Sequence, residues 1–233
     1  MLTLSRKRTR KAQMRAEELI SEMIPPLKYS ETGEKALNWM NEFRVNHLPV
    51  VKGNQYIGLL SENDIYDMPD PALRLDECFL NLPKPFIYLN SHAYEVMKLI
   101  ADSKITVVPI LNDNNEYIGC TDLLYLMSQI TGVISIKEPG GILVLVMNTH
   151  DYTLTEIARI VEENNAKILS SYITSAPEST EIEVTIKINT VDLDRIIQTF
   201  NRYDYVIKAS FAKGDTNDGL KRRYDELMNY LNM

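Results

Sequence analysis

The sequence predicts an α+β protein in which an internal duplication is followed by a domain of different element order. Residues 34–49 overlie residues 94–109 when the chain is shifted by 60 positions, and their apolar residues coincide. After residue 140 the pattern changes to apolar or alternating strands and two amphipathic helices. A chain of 233 residues is long enough for two domains of ordinary size.

Each copy of the duplication is typical of a β-α-β-β-α unit. In the first copy we predict a helix over residues 16–23, a strand over 27–29, a helix over 34–43, strands over 47–51 and 55–60, and a short final helix. In the second copy, Tyr117-Ile118-Gly119 falls on Tyr56-Ile57-Gly58. One copy alone is too small to bury much apolar surface, so we expect the two copies to pack together.

The segment Gly-Leu-Leu-Ser-Glu-Asn-Asp-Ile, residues 58–65, joins the last strand of the first copy to its short helix. Ser61 can accept hydrogen bonds from the first free N–H groups of that helix, and Asp64 can reach back to the N–H of Ser61. The positive helix end also favours a phosphate, and a neighbouring carboxylate can accept from ribose hydroxyls. The structural alternative is a capping pair alone, worth about 1 kcal/mol.

The duplicated unit resembles a tandem pair of CBS domains, a Bateman module, over residues 16–132. The motifs that carry this resemblance are Leu-Pro-Val-Val from residue 48 and Tyr-Ile-Gly-Leu-Leu-Ser-x-x-Asp from residue 56. The first repeat would comprise residues 16–68 and the second residues 78–132. The resemblance implies a regulatory module that binds adenine nucleotides or related ligands in clefts between the repeats.

By position, the resemblance also implies a nucleotide-binding site in the first repeat. Ser61, Asn63 and Asp64 would contact phosphate and ribose, Gly58 belongs to the same segment, and His47 would be a basic phosphate contact. AMP, ADP, ATP and S-adenosylmethionine are the candidate regulatory ligands.

The second copy departs from this pattern. Tyr125 occupies the ribose-carboxylate position, Asp122 the hydroxyl position, and Val107 the position of His47. An acid repels phosphate and Tyr supplies no carboxylate, so Asp122 is better interpreted as a helix cap. We expect at most one competent nucleotide site per chain.

The second domain, residues 133–213, has the order β-α-β-β-α-β, the ferredoxin-like arrangement. Its predicted strands cover residues 142–147, 167–174, 181–189 and 205–211, and its helices cover residues 154–164 and 192–203. A last helix is predicted over residues 218–233, docked on the sheet of this domain, on the duplicated unit or on a second chain.

After a CBS pair, this order resembles an ACT domain, an amino-acid-sensing and dimerising module, and the whole chain resembles the CBS–ACT accessory proteins of the acetoin-utilisation type. Amino-acid-binding ACT domains usually have glycine in the turn after the first strand. Here that turn, residues 148–153, has no glycine. Amino-acid binding and dimerisation therefore both stay open as roles, and we expect a homodimer.

Composition excludes several protein classes. Apolar residues make up 45% and charged residues 24%, and no apolar run approaches the ~20 residues of a membrane span. Residues 1–15 hold six basic side chains and no acid, which predicts a disordered basic tail, and Met14 is an alternative start to Met1. The remainder has 25 − 6 = 19 basic and 32 acidic residues, net −13, a poor nucleic-acid surface. We expect a cytoplasmic protein with no membrane or nucleic-acid partner.

The sequence predicts neither a metal site nor a catalytic site. Its two cysteines and three histidines lack ligand spacing, so we expect no structural zinc. The phosphate-binding, nucleophile and metalloprotease motifs are absent. The leading hypothesis is a non-catalytic regulatory protein that binds an adenine nucleotide and reports to an unknown protein target through the ACT-like domain. The alternative is a ligand-free homodimeric interaction scaffold with Ser61 and Asp64 acting only as a helix cap.

Overall fold

The computed structural model describes residues 14–79, 81–177 and 179–212, which belong to two compact units that divide after Ile130. Residues 1–13 of the predicted tail and the predicted helix over residues 218–233 lie outside the described residues. The tail prediction was wrong for its last two positions. Ala93 N–H donates to the carbonyl of Met14 at 2.7 Å, and Arg15 forms a β-bridge with His92.

The first unit repeats one arrangement twice, in the predicted order. Its first repeat comprises β1 (Leu27–Lys28), α1 (Gly33–Phe43), β2 (His47–Lys52), β3 (Gln55–Ser61) and α2 (Glu62–Tyr66), and a short helix α3 (Leu75–Cys78) follows. Its second repeat comprises β4 (Ile87–Tyr88), α4 (Ala93–Ser103), β5 (Val107–Leu111), β6 (Tyr117–Asp122) and α5 (Leu123–Val133). Each repeat forms a three-stranded sheet whose first pair of strands is parallel and whose second pair is antiparallel.

The N-terminal segment differs from the prediction. Only Ala16–Leu19 is helical, as a 3-10 turn, and the chain then extends along the sheet of the second repeat, where Ser21 N–H donates to Cys120 O at 2.8 Å. A Cβ on Gly119 would lie 2.7 Å from Cγ2 of Ile20. A helix through residue 23 would lose this packing of Ile20 over a glycine, which is why the chain leaves the helical conformation.

The segment after α3 makes the reciprocal contact on the first repeat. Leu59 N–H donates to Pro83 O at 2.8 Å, and a Cβ on Gly58 would lie 2.4 Å from Cβ of Leu82. Each repeat is thus contacted by the extended segment that precedes the other repeat in sequence. The segment before the first repeat lies on the second, and the segment before the second repeat lies on the first.

The two repeats also share their apolar cores. The core of the first repeat includes Val107 and Cys120 from the second, and the core of the second includes Leu59 from the first. Cys120 is fully buried, whereas Cys78 is half-buried. This arrangement agrees with the expectation that neither repeat buries enough surface alone.

The second unit contains one antiparallel sheet with the strand order β10-β7-β9-β8. Its elements are β7 (Gly141–Asn148), α6 (Leu154–Glu163), β8 (Ile168–Ser175), β9 (Glu181–Ile188), α7 (Asp194–Arg202) and β10 (Val206–Phe211), in the predicted order. The inward residues of α6 and α7, among them Ile157 and Phe200, pack in one core with Leu143 and Val184 of the sheet. Assignment of this unit to the ACT family stays a prediction.

One predicted boundary moves. We expected the second repeat to end at residue 132, but α5 includes Gly132 and continues to Val133. No heavy atom lies within 4 Å of the Cβ position of Gly132, so its cost is the ordinary one of about 1 kcal/mol for glycine in a helix. Of the helices in the described ranges, none has the length and apolar character to cross a bilayer.

Candidate functional site

Ser61 and Asp64 form a complete capping box at the end of β3. Ser61 donates from its backbone N–H and from its hydroxyl to Asp64 Oδ2, at 2.8 and 2.7 Å, while Asp64 N–H donates to Ser61 Oγ at 3.2 Å. Both residues are half-buried. Within the part of the chain that the structure describes, no hydrogen-bond donor reaches Asp64 Oδ1. The carboxylate is therefore fixed through Oδ2, and its Oδ1 has no hydrogen-bond donor among the described residues.

His47 begins β2 and lies opposite Ser61 in the antiparallel register. Thr106 N–H donates to His47 Nδ1 at 3.2 Å, and Thr106 Oγ1 lies 3.1 Å from the same nitrogen. Because Asn46 N–H donates to Thr106 Oγ1 at 3.0 Å, the threonine hydroxyl is free to donate its own hydrogen bond to His47 Nδ1. These donors hold Nδ1 unprotonated and leave the ring hydrogen on Nε2.

The protonation state of His47 follows from its surroundings. Burial lowers the pKa of His47 below its ordinary value of 6.5, and the Asp64 carboxylate partly opposes this by favouring the charged ring. The effect of burial is the larger of the two, so the pKa of His47 is lowered, in agreement with the two donors at Nδ1. The neutral imidazole can still donate one hydrogen bond through Nε2.

The structure brings His47, Ser61 and Asp64 together but places the other two predicted residues differently. Asn63 is exposed on α2, where its carbonyl accepts from Asp67 N–H at 3.1 Å. Gly58 is buried beneath Leu82 and Pro83. Packing alone therefore explains the glycine, and its role as a ligand contact stays a prediction.

Thr106 is the residue that sequence reasoning missed. It occupies the position of Asn46 under the 60-residue shift, and each follows shortly after a residue in the left-handed conformation, Lys104 or Arg44. Equivalent positions of a duplicated unit meet where the two copies face each other. The correspondence of Thr106 with Asn46, the residue before His47, was therefore the feature of the sequence that could have predicted the contact between Thr106 and His47.

The equivalent positions in the second repeat have a different chemistry. Asp122 Oδ1 accepts from Tyr125 N–H at 2.9 Å, so Asp122 caps α5 as predicted. Val107, at the position of His47, is fully buried in the shared core. The second repeat therefore offers a cap without an accompanying imidazole.

In the second unit, a cavity of about 440 Å³ lies beside the turn that follows β7. Its walls include four carboxylates, Asp151, Glu156, Glu181 and Asp204. These carboxylates would attract the α-ammonium group of an amino acid and repel its α-carboxylate, so the charge of the cavity does not decide whether an amino acid binds. This cavity and three others, of about 650, 800 and 520 Å³, do not include His47, Ser61, Asn63 or Asp64 among their walls. Across the described ranges, no group of three or more His, Cys, Asp or Glu side chains has the geometry of a metal site.

Comparison with known families identifies a domain in the first repeat. Residues 16–69 match the family model of the CBS domain. The chain is also similar to inosine-5'-monophosphate dehydrogenase of Korarchaeum cryptofilum, with 26% identity over 109 residues, 47% of this chain and 23% of that enzyme. The matched part is thus about a quarter of the relative's length.

Solved structures of CBS-domain proteins are similar to about half of the chain. One is a CBS domain pair/ACT domain protein from Thermotoga maritima, with 16% identity, a TM-score of 0.46, and coverage of 51% of this chain and 98% of that chain. Another is the cytosolic domain of the Mg²⁺ channel MgtE in complex with ATP, with 21% identity, a TM-score of 0.41, and coverage of 49% and 48%. The assignment of a CBS domain rests on the sequence match over residues 16–69.

Proposed function

We propose that this chain is a non-catalytic regulatory protein that binds an adenine nucleotide, or a related ligand such as S-adenosylmethionine, beside Asp64. The observation that carries the proposal is the fixed carboxylate, which Ser61 holds through Oδ2 alone. A carboxylate fixed in this way can accept from ribose hydroxyls through its other oxygen with little further loss of side-chain entropy. The CBS-domain match over residues 16–69 supports the same segment.

His47 supplies phosphate recognition in this proposal. His47 and Ser61 are register partners, so their side chains leave the same face of the sheet. With Nδ1 occupied by Thr106, the Nε2 hydrogen is the donor available to a phosphate oxygen. The α2 helix contributes little, because it has five residues and begins with Glu62, whose carboxylate repels an anion.

In this proposal, the second, ACT-like unit communicates the ligand-bound state of the nucleotide site to an unidentified protein partner. A homodimer is the proposed assembly. The two-unit organisation supports a separate sensing and reporting part.

A second candidate function is favoured by the completeness of the capping box. The hydrogen bonds of the capping box between Ser61 and Asp64 all form without a ligand, as a ligand-free homodimeric scaffold would require. In that case Asp64→Ala lowers the free energy of unfolding by about 1 kcal/mol, and nucleotides leave the thermal midpoint unchanged. A nucleotide-dependent rise of the midpoint would contradict the scaffold.

Isothermal titration calorimetry of the full chain with AMP, ADP, ATP and S-adenosylmethionine tests the sensing proposal. We expect at least one ligand to bind, and Asp64→Asn to weaken it about tenfold or more, because a neutral amide accepts more weakly than a carboxylate. Asp122→Asn is the matched control, since it alters the equivalent cap in the second repeat and should leave the affinity unchanged. Absence of binding at millimolar ligand, or equal affinities for wild type and Asp64→Asn, would refute the proposal.

A further inference from the structure

The first repeat has a preformed cleft beside the last residues of β2. His47 is the first residue of the same strand, so the cleft is at the other end of β2 from His47. The cleft has a volume of about 520 Å³, and its walls include Lys28, Tyr29, Ser30, Val51, Lys52 and Arg74. A strand of six residues is about 16 Å long, so this cleft is separate from the site beside Asp64.

One wall of the cleft is the chain that leads into α3, and three hydrogen bonds hold it against the sheet. Leu75 N–H donates to Glu31 O at 2.8 Å, and Asp76 N–H donates to Tyr29 O at 3.0 Å. The Tyr29 hydroxyl donates to the carbonyl of Phe79. Such fixed walls are typical of a binding cleft that exists before its ligand arrives.

The charge of the cleft is positive in an otherwise acidic protein. Arg74 is neutralised by Asp76, with contacts of 3.0 and 2.6 Å, and the neighbouring Glu31 pairs with Lys35 at 2.5 Å. Lys28 and Lys52 have no ion-pair partner within the described ranges. Two lysines without an ion-pair partner therefore line one cleft, although the chain beyond residue 15 carries a net charge of −13.

The duplication shows that the fold does not require these lysines. Lys28 pairs with Val51 in the same register in which Tyr88 pairs with Leu111 in the second repeat. Tyr88 therefore replaces Lys28, and its hydroxyl donates to Asn115 Oδ1 at 3.1 Å. The residue after Leu111, which corresponds to Lys52, is Asn112. The same backbone thus forms without either cation.

We propose that this cleft is a second ligand site, which binds a small phosphorylated molecule. The Lys28 and Lys52 ammonium groups bind the phosphate, and the Ser30 hydroxyl donates to it. The side chains of Val51 and Tyr29 pack against the organic part of the molecule. The volume lies within the range of roughly 300–1,000 Å³ that is usual for small-molecule sites.

Amide NMR of the ¹⁵N-labelled full chain, titrated with inorganic phosphate and with glycerol 3-phosphate, tests this site. We expect the amide signals of Ser30, Lys52 and Gly53 to move in wild type and equally in Asp64→Asn, so that failure of the nucleotide site leaves this result intact. Tighter binding of glycerol 3-phosphate would show that the cleft recognises the organic part, and equal binding of the two probes would overturn that part of the proposal.

The double variant Lys28→Gln/Lys52→Gln should weaken phosphate binding about tenfold or more, because both charged donors are lost. Lys98→Gln/Lys104→Gln removes the same charge from the second repeat and should bind as wild type does. Unchanged affinity in the Lys28/Lys52 variant, equal losses in the two double variants, or signal shifts confined to residues around Asp64 would overturn the proposal. A variant spectrum with wild-type dispersion away from the cleft establishes that loss of binding is not loss of folding.

Discussion

At the scale of single residues, the hydrogen bonds at the end of β3 have two structural consequences. Ser61 and Asp64 stabilise α2 through a reciprocal cap, and the same bonds fix a carboxylate with one open oxygen. A cap and a ligand site are therefore compatible in the same side chains. Thermodynamic measurements can separate them, because loss of the cap lowers the free energy of unfolding, whereas loss of the proposed ligand contact lowers the affinity for a nucleotide.

His47 should make the stability of the first unit depend on pH. Its pKa is lowered in the folded protein, so the unfolded chain binds a proton more readily. The stabilisation from neutral His47 is complete above its ordinary pKa of 6.5 and is lost as the pH falls below that value. The main cause is burial, which disfavours the charged ring. Protonation of Nδ1 would also remove the acceptor for Thr106 N–H.

Thermal unfolding of wild type and of His47→Gln between about pH 7.5 and 5 measures this effect. We expect the stability difference between the two proteins to shift against wild type as the pH falls. A wild type that gains stability relative to His47→Gln on acidification would show instead that attraction to Asp64 exceeds the effect of burial.

At the scale of elements, the two sheets are joined by segments that lie across glycines. Gly58 lies beneath Leu82, and Gly119 lies beneath Ile20. Substitution of Gly58 by alanine places its Cβ 2.4 Å from Leu82 Cβ and 2.8 Å from the backbone oxygen of Pro83. Leu82 Cβ is bonded directly to the backbone, so neither atom can easily move.

We predict that Gly58→Ala lowers the free energy of unfolding by about 1–3 kcal/mol, as overpacking does in other cores. Gly132→Ala is the control, because its Cβ meets no atom within 4 Å and should stabilise α5 by about 0.5–1 kcal/mol. Urea unfolding curves of the two variants give both values. A Gly58→Ala protein as stable as wild type would show that the crossing segment is not packed as described.

Much of this element order could be predicted from the sequence, because helical and alternating periodicities are local. The 60-residue repeat and the β-α-β-β-α order of each copy are confirmed. The helix over residues 16–23 was wrong, since contact of Ile20 with a distant glycine determines that conformation. The contact of His47 with Thr106 was missed because it forms between repeats.

At the scale of the whole molecule, sequence and structure both divide the chain into two parts. The first unit contains the duplicated sheets and the second an antiparallel sheet with two helices in its core. The sequence also predicted the asymmetry of the duplication, because Val107 and Tyr125 could be compared directly with His47 and Asp64. It could not predict which carboxylate oxygen stays open, since this depends on the hydrogen-bond geometry of the folded cap.

The proposed function requires that a nucleotide occupies the face of the first repeat beside Asp64. A crystal structure of the full chain soaked with ATP would show whether it does. We expect electron density for a ribose whose hydroxyls lie within hydrogen-bond distance of Asp64 Oδ1, with a phosphate near His47 Nε2. Density for the nucleotide beside Asp122 in the second repeat, or a fully soaked crystal with the Asp64 carboxylate unoccupied, would contradict it.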